Sequence, residues 1–109
     1  LHFGKPKVWF AVPPSDVHKM EQVMATNFPK DAAYCHVFTR HKSSFVAPKI
    51  LEKAGVKVYR AIQRANEIII SSPNAYHAGF NLGFNCAEAV NLAMPSWIPI
   101  GIKAPHCQC

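Results

Sequence analysis

Along LHFGKPKVWFAVPP, Leu1 to Pro14, apolar residues flank Gly4-Lys5-Pro6 on both sides. The pattern predicts two short strands around a tight turn, the second stopped by Pro13-Pro14. After the prolines the apolar period lengthens. Val17, Met20, Val23 and Met24 recur at helical spacing behind Ser15 or Asp16 as N-cap, and Pro29 closes that helix. DAAYCHVFTRH reads as a second, shorter helix, and APKILEKAGVKV as a third that starts near Pro48 and stops at Gly55 as its C′ residue. Strand patterning then returns. VKVYRAIQR, EIIISSP and YHAGFNLGFNCAEAVNLA predict strands, the last as one or two, and SWIPIGIKAP reads as loop and turn.

A strand pair, a helical insertion and further strands without βαβ alternation argue against a doubly wound sheet. The expected architecture is mainly β with a helical insertion, an antiparallel double-sheet fold of the jelly-roll or cupin kind. A chain of 109 residues makes one domain. Because it opens in mid-pattern and stops on HCQC, it is expected to be part of a larger domain.

Composition narrows the function classes only a little. Twelve Lys+Arg against six Asp+Glu give a formal charge of +6. That balance suits a partner with phosphates or acidic surface, such as chromatin DNA, and it equally serves to solvate an ordinary surface. No signal-peptide pattern is visible, and the apolar run around IIISSP is far shorter than the roughly 18 residues of a membrane span, so no membrane association is expected.

Chemistry enters with the cysteines and histidines. Four cysteines without a secretion signal favour metal or buried thiols over disulfides. Cys35-x5-His41 and Cys107-x-Cys109 supply two sulfur/nitrogen pairs, the donor types of tetrahedral zinc, though not in common finger spacing. His36 and His106 compete as ligands on spacing alone. Residues six apart do not share a helix face, so the helix holding Cys35 must end before His41. Farther on, Tyr76, Ala78, Phe80 and Leu82 take one strand face, and His77, Gly79 and Asn81 the other. Glycine at 79 would let a ligand or another backbone approach the imidazole. Phe84, Cys86, Glu88 and Val90 then alternate against a small, amide-bearing set of Asn85, Ala87, Ala89 and Asn91. A lone strand histidine is more often structural than a ligand.

AYHAGFNLGFNCAEAVNLA resembles the signature of the Jumonji C (JmjC) family of Fe(II)- and 2-oxoglutarate-dependent oxygenases, and HFGKPKVWFAVPP resembles that family's strand pair. The two motifs lie near opposite ends of the chain, so the likeness spans nearly all of it. It implies a partial double-stranded β-helix, with His77 as the last of three iron ligands and Lys7 holding the 2-oxoglutarate carboxylate. Trp9 would sit near the cosubstrate, and Lys42 near the oxygen and the substrate lysine. Ala89, Val90 and Asn91 would border that lysine. The C-x5-H and C-x-C spacings further resemble the zinc site of the subfamily that carries a JmjN segment and acts on trimethylated histone lysines. That likeness assigns zinc to Cys35, His41, Cys107 and Cys109 and leaves Cys86 a buried free thiol; no role for Glu88 follows from it, beyond pairing with a basic residue.

The resemblance implies part of a nuclear histone lysine demethylase, acting on methylated histone tails in chromatin. The alternatives are a JmjC-like chromatin-binding scaffold without catalysis, and a protein hydroxylase of the same superfamily. Two departures stand out. The family's H-x-D/E pair lies upstream of HFG, and no such pair occurs in these residues. The 109 residues are therefore expected to be inactive alone, as the C-terminal portion of a JmjC domain. Ala89 and Val90 also replace hydroxyl residues found in several relatives, which should alter the methyl-state preference.

Overall fold

The computed structural model describes residues 1–109. Strand β1 (Phe3–Gly4) is followed by β2 (Lys7–Val12), and the chain then enters the helical insertion: α1 (Val17–Asn27), α2 (Pro29–Tyr34) and α3 (Pro48–Lys53). Strands β3 (Tyr59–Gln63), β4 (Tyr76–Asn81) and β5 (Asn85–Cys86) come next, and α4 (Ile98–Ile102) lies near the end. This is the expected class, a β framework with a helical insertion.

The strands form two open antiparallel sheets, one of order β3-β2-β4 and one pairing β1 with β5. The two strands flanking Gly4-Lys5-Pro6 are thus not partners in a hairpin. Across that turn the chain changes sheet. The Lys5 N–H donates to the Phe84 carbonyl at 2.9 Å, and the Leu82 N–H donates to the Pro6 carbonyl at 2.9 Å. Both bonds fasten the crossing to the loop between β4 and β5.

Local chemistry accounts for the helices. Asp16 occupies the N-cap position of α1, yet its side chain does not cap the helix. Its carboxylate accepts instead from the backbone N–H of Lys57 at 2.7 Å, tying the start of α1 to the approach to β3. Pro29 ends α1 by opening α2, as a proline at the first helical position can. The stretch expected as one helix from Asp31 to His41 is divided: α2 ends at Tyr34, Cys35 is extended, and a separate 3-10 turn spans Phe38–His41. Helix α3 closes as a Schellman motif. Gly55, at φ +78°, lets its own N–H reach the Glu52 carbonyl while the Val56 N–H reaches Leu51, both at 3.0 Å. Leu51 and Val56, which flank the motif, both belong to the core.

The core lies within the insertion and at the end of β2. Val12, Met24, Cys35, Val37, Phe38, Val46, Leu51 and Val56 form one buried cluster. Three stretches differ from expectation. Residues 68–72 are not a strand, and Ile68 and Ile70 stand 85% and 90% exposed, because no other strand lies alongside to take their hydrogen bonds. Residues 87–94 lack regular structure, because β5 has only the two-residue β1 as partner. Conversely, Pro95–Trp97 forms a 3-10 turn that leads into α4, where Gly101 leaves room for the indole of Trp97. No helix is long and apolar enough to cross a membrane.

Candidate functional site

Strand register decides which side chains can meet. Ala11 faces His77, Trp9 faces Gly79, and Lys7 faces both Asn81 and Gln63 across the two ladders. Directly opposed residues project to the same side of a sheet. Lys7, Trp9 and His77 therefore share one face, and Val8, Phe10, Arg60 and Phe80 occupy the other. Lys7 and the level of His77 lie four residues apart along β2, roughly 13 Å at strand rise.

Trp9 fills the interval. Its ring centroid lies 6.1 Å from that of His77, tilted by 49°, and the Lys7 ammonium lies 5.5 Å from its ring. Gly79 makes this arrangement possible. A Cβ there would meet the Val8 carbonyl at 2.5 Å and the indole at 3.1 Å. The closeness expected at Gly79 thus serves a neighbouring strand and its indole. Gln63 holds the far side of Trp9, and sequence patterning missed it. It is 6% exposed, accepts from Trp9 Nε1 at 3.0 Å and donates to the Glu67 carbonyl at 2.9 Å. Its one visible signal was an amide on the Lys7 face at the end of a strand.

Tyr76 was also missed as a polar link. Its hydroxyl donates to Glu21 at 2.9 Å and lies 3.0 Å from Thr39 Oγ1, joining β4 to α1 and to the 3-10 turn that ends at His41. Burial first, and the Glu21 carboxylate after it, push the phenol above its ordinary range, although Thr39 and Arg40 oppose the shift. It remains a neutral donor.

A second constellation forms where that turn meets the C-terminal residues. One donor atom from each of Cys35, His41, Cys107 and Cys109 lies within 4.8 Å of the other three. Cys107 Sγ is 3.8 Å from Cys35 Sγ, 3.1 Å from His41 Nε2 and 3.1 Å from Cys109 Sγ, and Cys109 Sγ is 3.7 Å from His41 Nε2. Tetrahedral zinc with bonds of about 2.3 Å to sulfur and about 2.1 Å to nitrogen has edges of roughly 3.6–3.8 Å. Two of these four contacts match such edges, and the other two need to open by roughly half an ångström. This Cys/His set is compatible with zinc, and neither His36 nor His106 belongs to it.

The sulfur chemistry agrees. Hydrogen bonds from Cys109, through its thiol and then its backbone N–H, with His41 next, bring the Cys107 thiol down to about 6. Cys109, bonded to Cys107 and Cys35, is pushed up to about 12. The pair favours one thiolate and one thiol, and a divalent cation would favour both as thiolates.

The remaining predicted positions are more scattered. Lys42 follows His41 in left-handed conformation, φ +57°, and is exposed. Ala89, Val90 and Asn91 lie in the irregular segment after β5, with Val90 82% exposed, so the small, amide-bearing strand face expected there does not extend to them. Cys86 is in a strand but exposed, because nothing covers the two-stranded ribbon on that side; the expectation of a buried thiol is corrected. Glu88 does find a basic partner, His2 Nε2 at 3.1 Å, on the surface.

The family described as "JmjC domain, hydroxylase" matches residues 1–92. Over all 109 residues the chain is 45% identical to Lysine-specific demethylase 4D of Rattus norvegicus, covering 21% of that protein. It is likewise 45% identical to Probable lysine-specific demethylase 4F of Homo sapiens and to Lysine-specific demethylase 4B of Mus musculus, covering 17% and 10% of them. The chain therefore spans about a fifth or less of the length of these curated relatives. Both sheets and the whole helical insertion fall inside the family match, and on that ground the chain belongs to the JmjC domain family.

Proposed function

We propose that this chain is part of a histone lysine demethylase that removes N-methyl groups from histone-tail lysines with Fe(II), O2 and 2-oxoglutarate. The observation that carries the reading is the shared sheet face of Lys7, Trp9 and His77. It is supported by the 45% identity to proteins named lysine-specific demethylases.

The side chains fit such a site in part. His77, exposed on the strand face, offers one imidazole to a two-histidine, one-carboxylate iron site. These residues contain no His-x-Asp or His-x-Glu pair to complete it. When bound, iron with its cosubstrate supplies the oxidising power. That chemistry would divide O2 between the methyl group, lost as formaldehyde, and the succinate and CO2 formed from 2-oxoglutarate.

The chain's own residues bind and orient. Lys7 pairs with the far carboxylate of 2-oxoglutarate, a charge-assisted contact. The roughly 13 Å between its level and that of His77 leaves room for a five-carbon diacid approached from both ends. Trp9 walls the cosubstrate and keeps water from it. Lys42 would stand near the oxygen and the substrate lysine, and Asn91 with Ala89 and Val90 would border the methylammonium. The apolar pair Ala89-Val90 changes methyl-state preference relative to hydroxyl-bearing relatives. Zinc held by Cys35, His41, Cys107 and Cys109 is structural and joins the insertion to the C-terminal segment. The protein works in the nucleus on chromatin, and its basic surface contacts DNA.

The test is formaldehyde release by the full-length protein from a trimethylated histone-tail peptide, with 2-oxoglutarate and Fe(II) added. Formaldehyde in step with demethylated peptide is the expected result. A stable hydroxylated product without formaldehyde would replace the demethylase reading with a protein hydroxylase, and no turnover despite full iron loading would point to a binding scaffold.

A further inference from the structure

We infer that Gln63 is a positioning residue for the cosubstrate, acting through Trp9. The inference rests on the reading of Lys7 as the anchor of the 2-oxoglutarate carboxylate. Gln63 is the sole buried polar residue of the chain, at 6% exposure. A buried primary amide needs partners for both ends. Here its oxygen accepts from Trp9 Nε1 at 3.0 Å, and its nitrogen donates to the Glu67 carbonyl at 2.9 Å. An indole nitrogen only donates, so the carbonyl end of Gln63 must face it and the amide orientation is fixed.

The consequence passes to Lys7. Gln63 is the direct cross-strand partner of Lys7 and the diagonal neighbour of Trp9. Its bond holds one edge of the indole, and the absent Cβ of Gly79 seats the ring from the other side. The ring so fixed lies 5.5 Å from the Lys7 ammonium. A cation over an indole face is held by the ring's quadrupole, which narrows the positions the flexible lysine visits. Order set in advance in the free protein lowers the entropy lost on binding. Without Gln63 the indole can turn, and the ammonium loses its platform.

Binding of 2-oxoglutarate to the full-length protein, measured by calorimetry, tests this with Gln63→Leu, Trp9→Phe, the double variant and Lys7→Ala. Each of the first two should weaken binding about fivefold, the worth of one neutral hydrogen bond. The double variant should be no weaker than the worse single one, because both remove the same bond. In turnover, Gln63→Leu should raise KM for 2-oxoglutarate by the same factor, with kcat and KM for the peptide within twofold, a split that general loosening of the sheet would not produce. Trp9→Phe, which keeps a ring on Gly79, decides the matter if Gln63→Leu does not fold. Wild-type affinity in Gln63→Leu and Trp9→Phe, with binding lost in Lys7→Ala, overturns the role of Gln63 alone. Unchanged affinity in Lys7→Ala overturns the anchor reading on which it stands.

Discussion

Replacing Cys107 by alanine should free the C-terminal segment while leaving the core folded. Cys107 is the hub of the four-donor cluster, in contact with Cys35, His41 and Cys109. It joins positions 66 and 72 residues away in sequence. A cross-link that closes a loop of that size withholds about 4 kcal/mol of chain freedom from the unlinked state. Little else competes. Every residue from Ala87 to Ile100 is exposed, and the contact of Glu88 with His2 lies on the surface, where even a charged pair is worth under about 1 kcal/mol. Helix α4 has five residues, too few to stand alone in water. A metal bound by the four donors would therefore outweigh all other attachments of the segment. Amide exchange in the full-length protein, followed by mass spectrometry, should show residues 95–109 losing protection in Cys107→Ala. A zinc chelator added to the native protein should do the same. Peptides covering Met24, Leu51 and Val56 should stay protected, since Cys35 is the one core residue that is also a cluster donor and the remaining core contacts do not pass through it. Equal protection of residues 95–109 before and after complete metal removal would refute the reasoning.

Two further outcomes follow from local geometry. Gly79→Ala sets a methyl group 2.5 Å from the backbone carbonyl of Val8, which cannot yield without shifting β2. The overpacking should cost about 1–3 kcal/mol in urea unfolding, and full stability in this variant would show that the sheet is softer than the register implies. Asp16 provides a pH signature. The Lys57 N–H bond, chiefly, holds its carboxyl below the ordinary 3.8, with Lys19 adding to the effect and desolvation opposing it. A carboxylate whose folded value is lowered contributes fully above the unfolded value and loses that contribution as pH falls through the folded one. Stability should therefore fall below about pH 4, and Asp16→Asn should flatten that limb of a urea-midpoint profile. A limb unchanged in the variant would assign the acid sensitivity to other groups.

Much of the framework was legible from patterning. The strand from Lys7 to Val12 announced itself by its apolar and β-branched residues and by the Pro13-Pro14 stop. The third helix was bracketed by Pro48 and Gly55, residues whose backbone preferences act locally and so survive without tertiary context. What depends on a distant partner was harder to see. EIIISSP has the composition of a strand, but a strand exists only beside another, and Ile68 to Ser72 have none. The reverse error fell at Pro95 to Ile102, where two prolines and a glycine suggested loop although proline suits a first helical turn. The donor set was visible as residue types. Spacing left His36 and His106 open, and the resemblance chose among them before the fold brought four donors together. Gln63 offered only an amide at the end of a strand, and an amide's importance appears only when its burial is known.

Lys42 is a non-glycine residue at φ +57°, directly after a cluster donor. Left to itself, a lysine prefers the right-handed side by about 1 kcal/mol or more. The Lys42 N–H closes the turn on the Thr39 carbonyl at 3.3 Å, and an ion pinning the His41 imidazole would hold the chain there more firmly. An ion bound only for architecture would in this way set the aim of a charged arm beside it. Losing the ion and losing the arm's charge would then produce the same defect at the bench, although the two lesions are chemically unrelated.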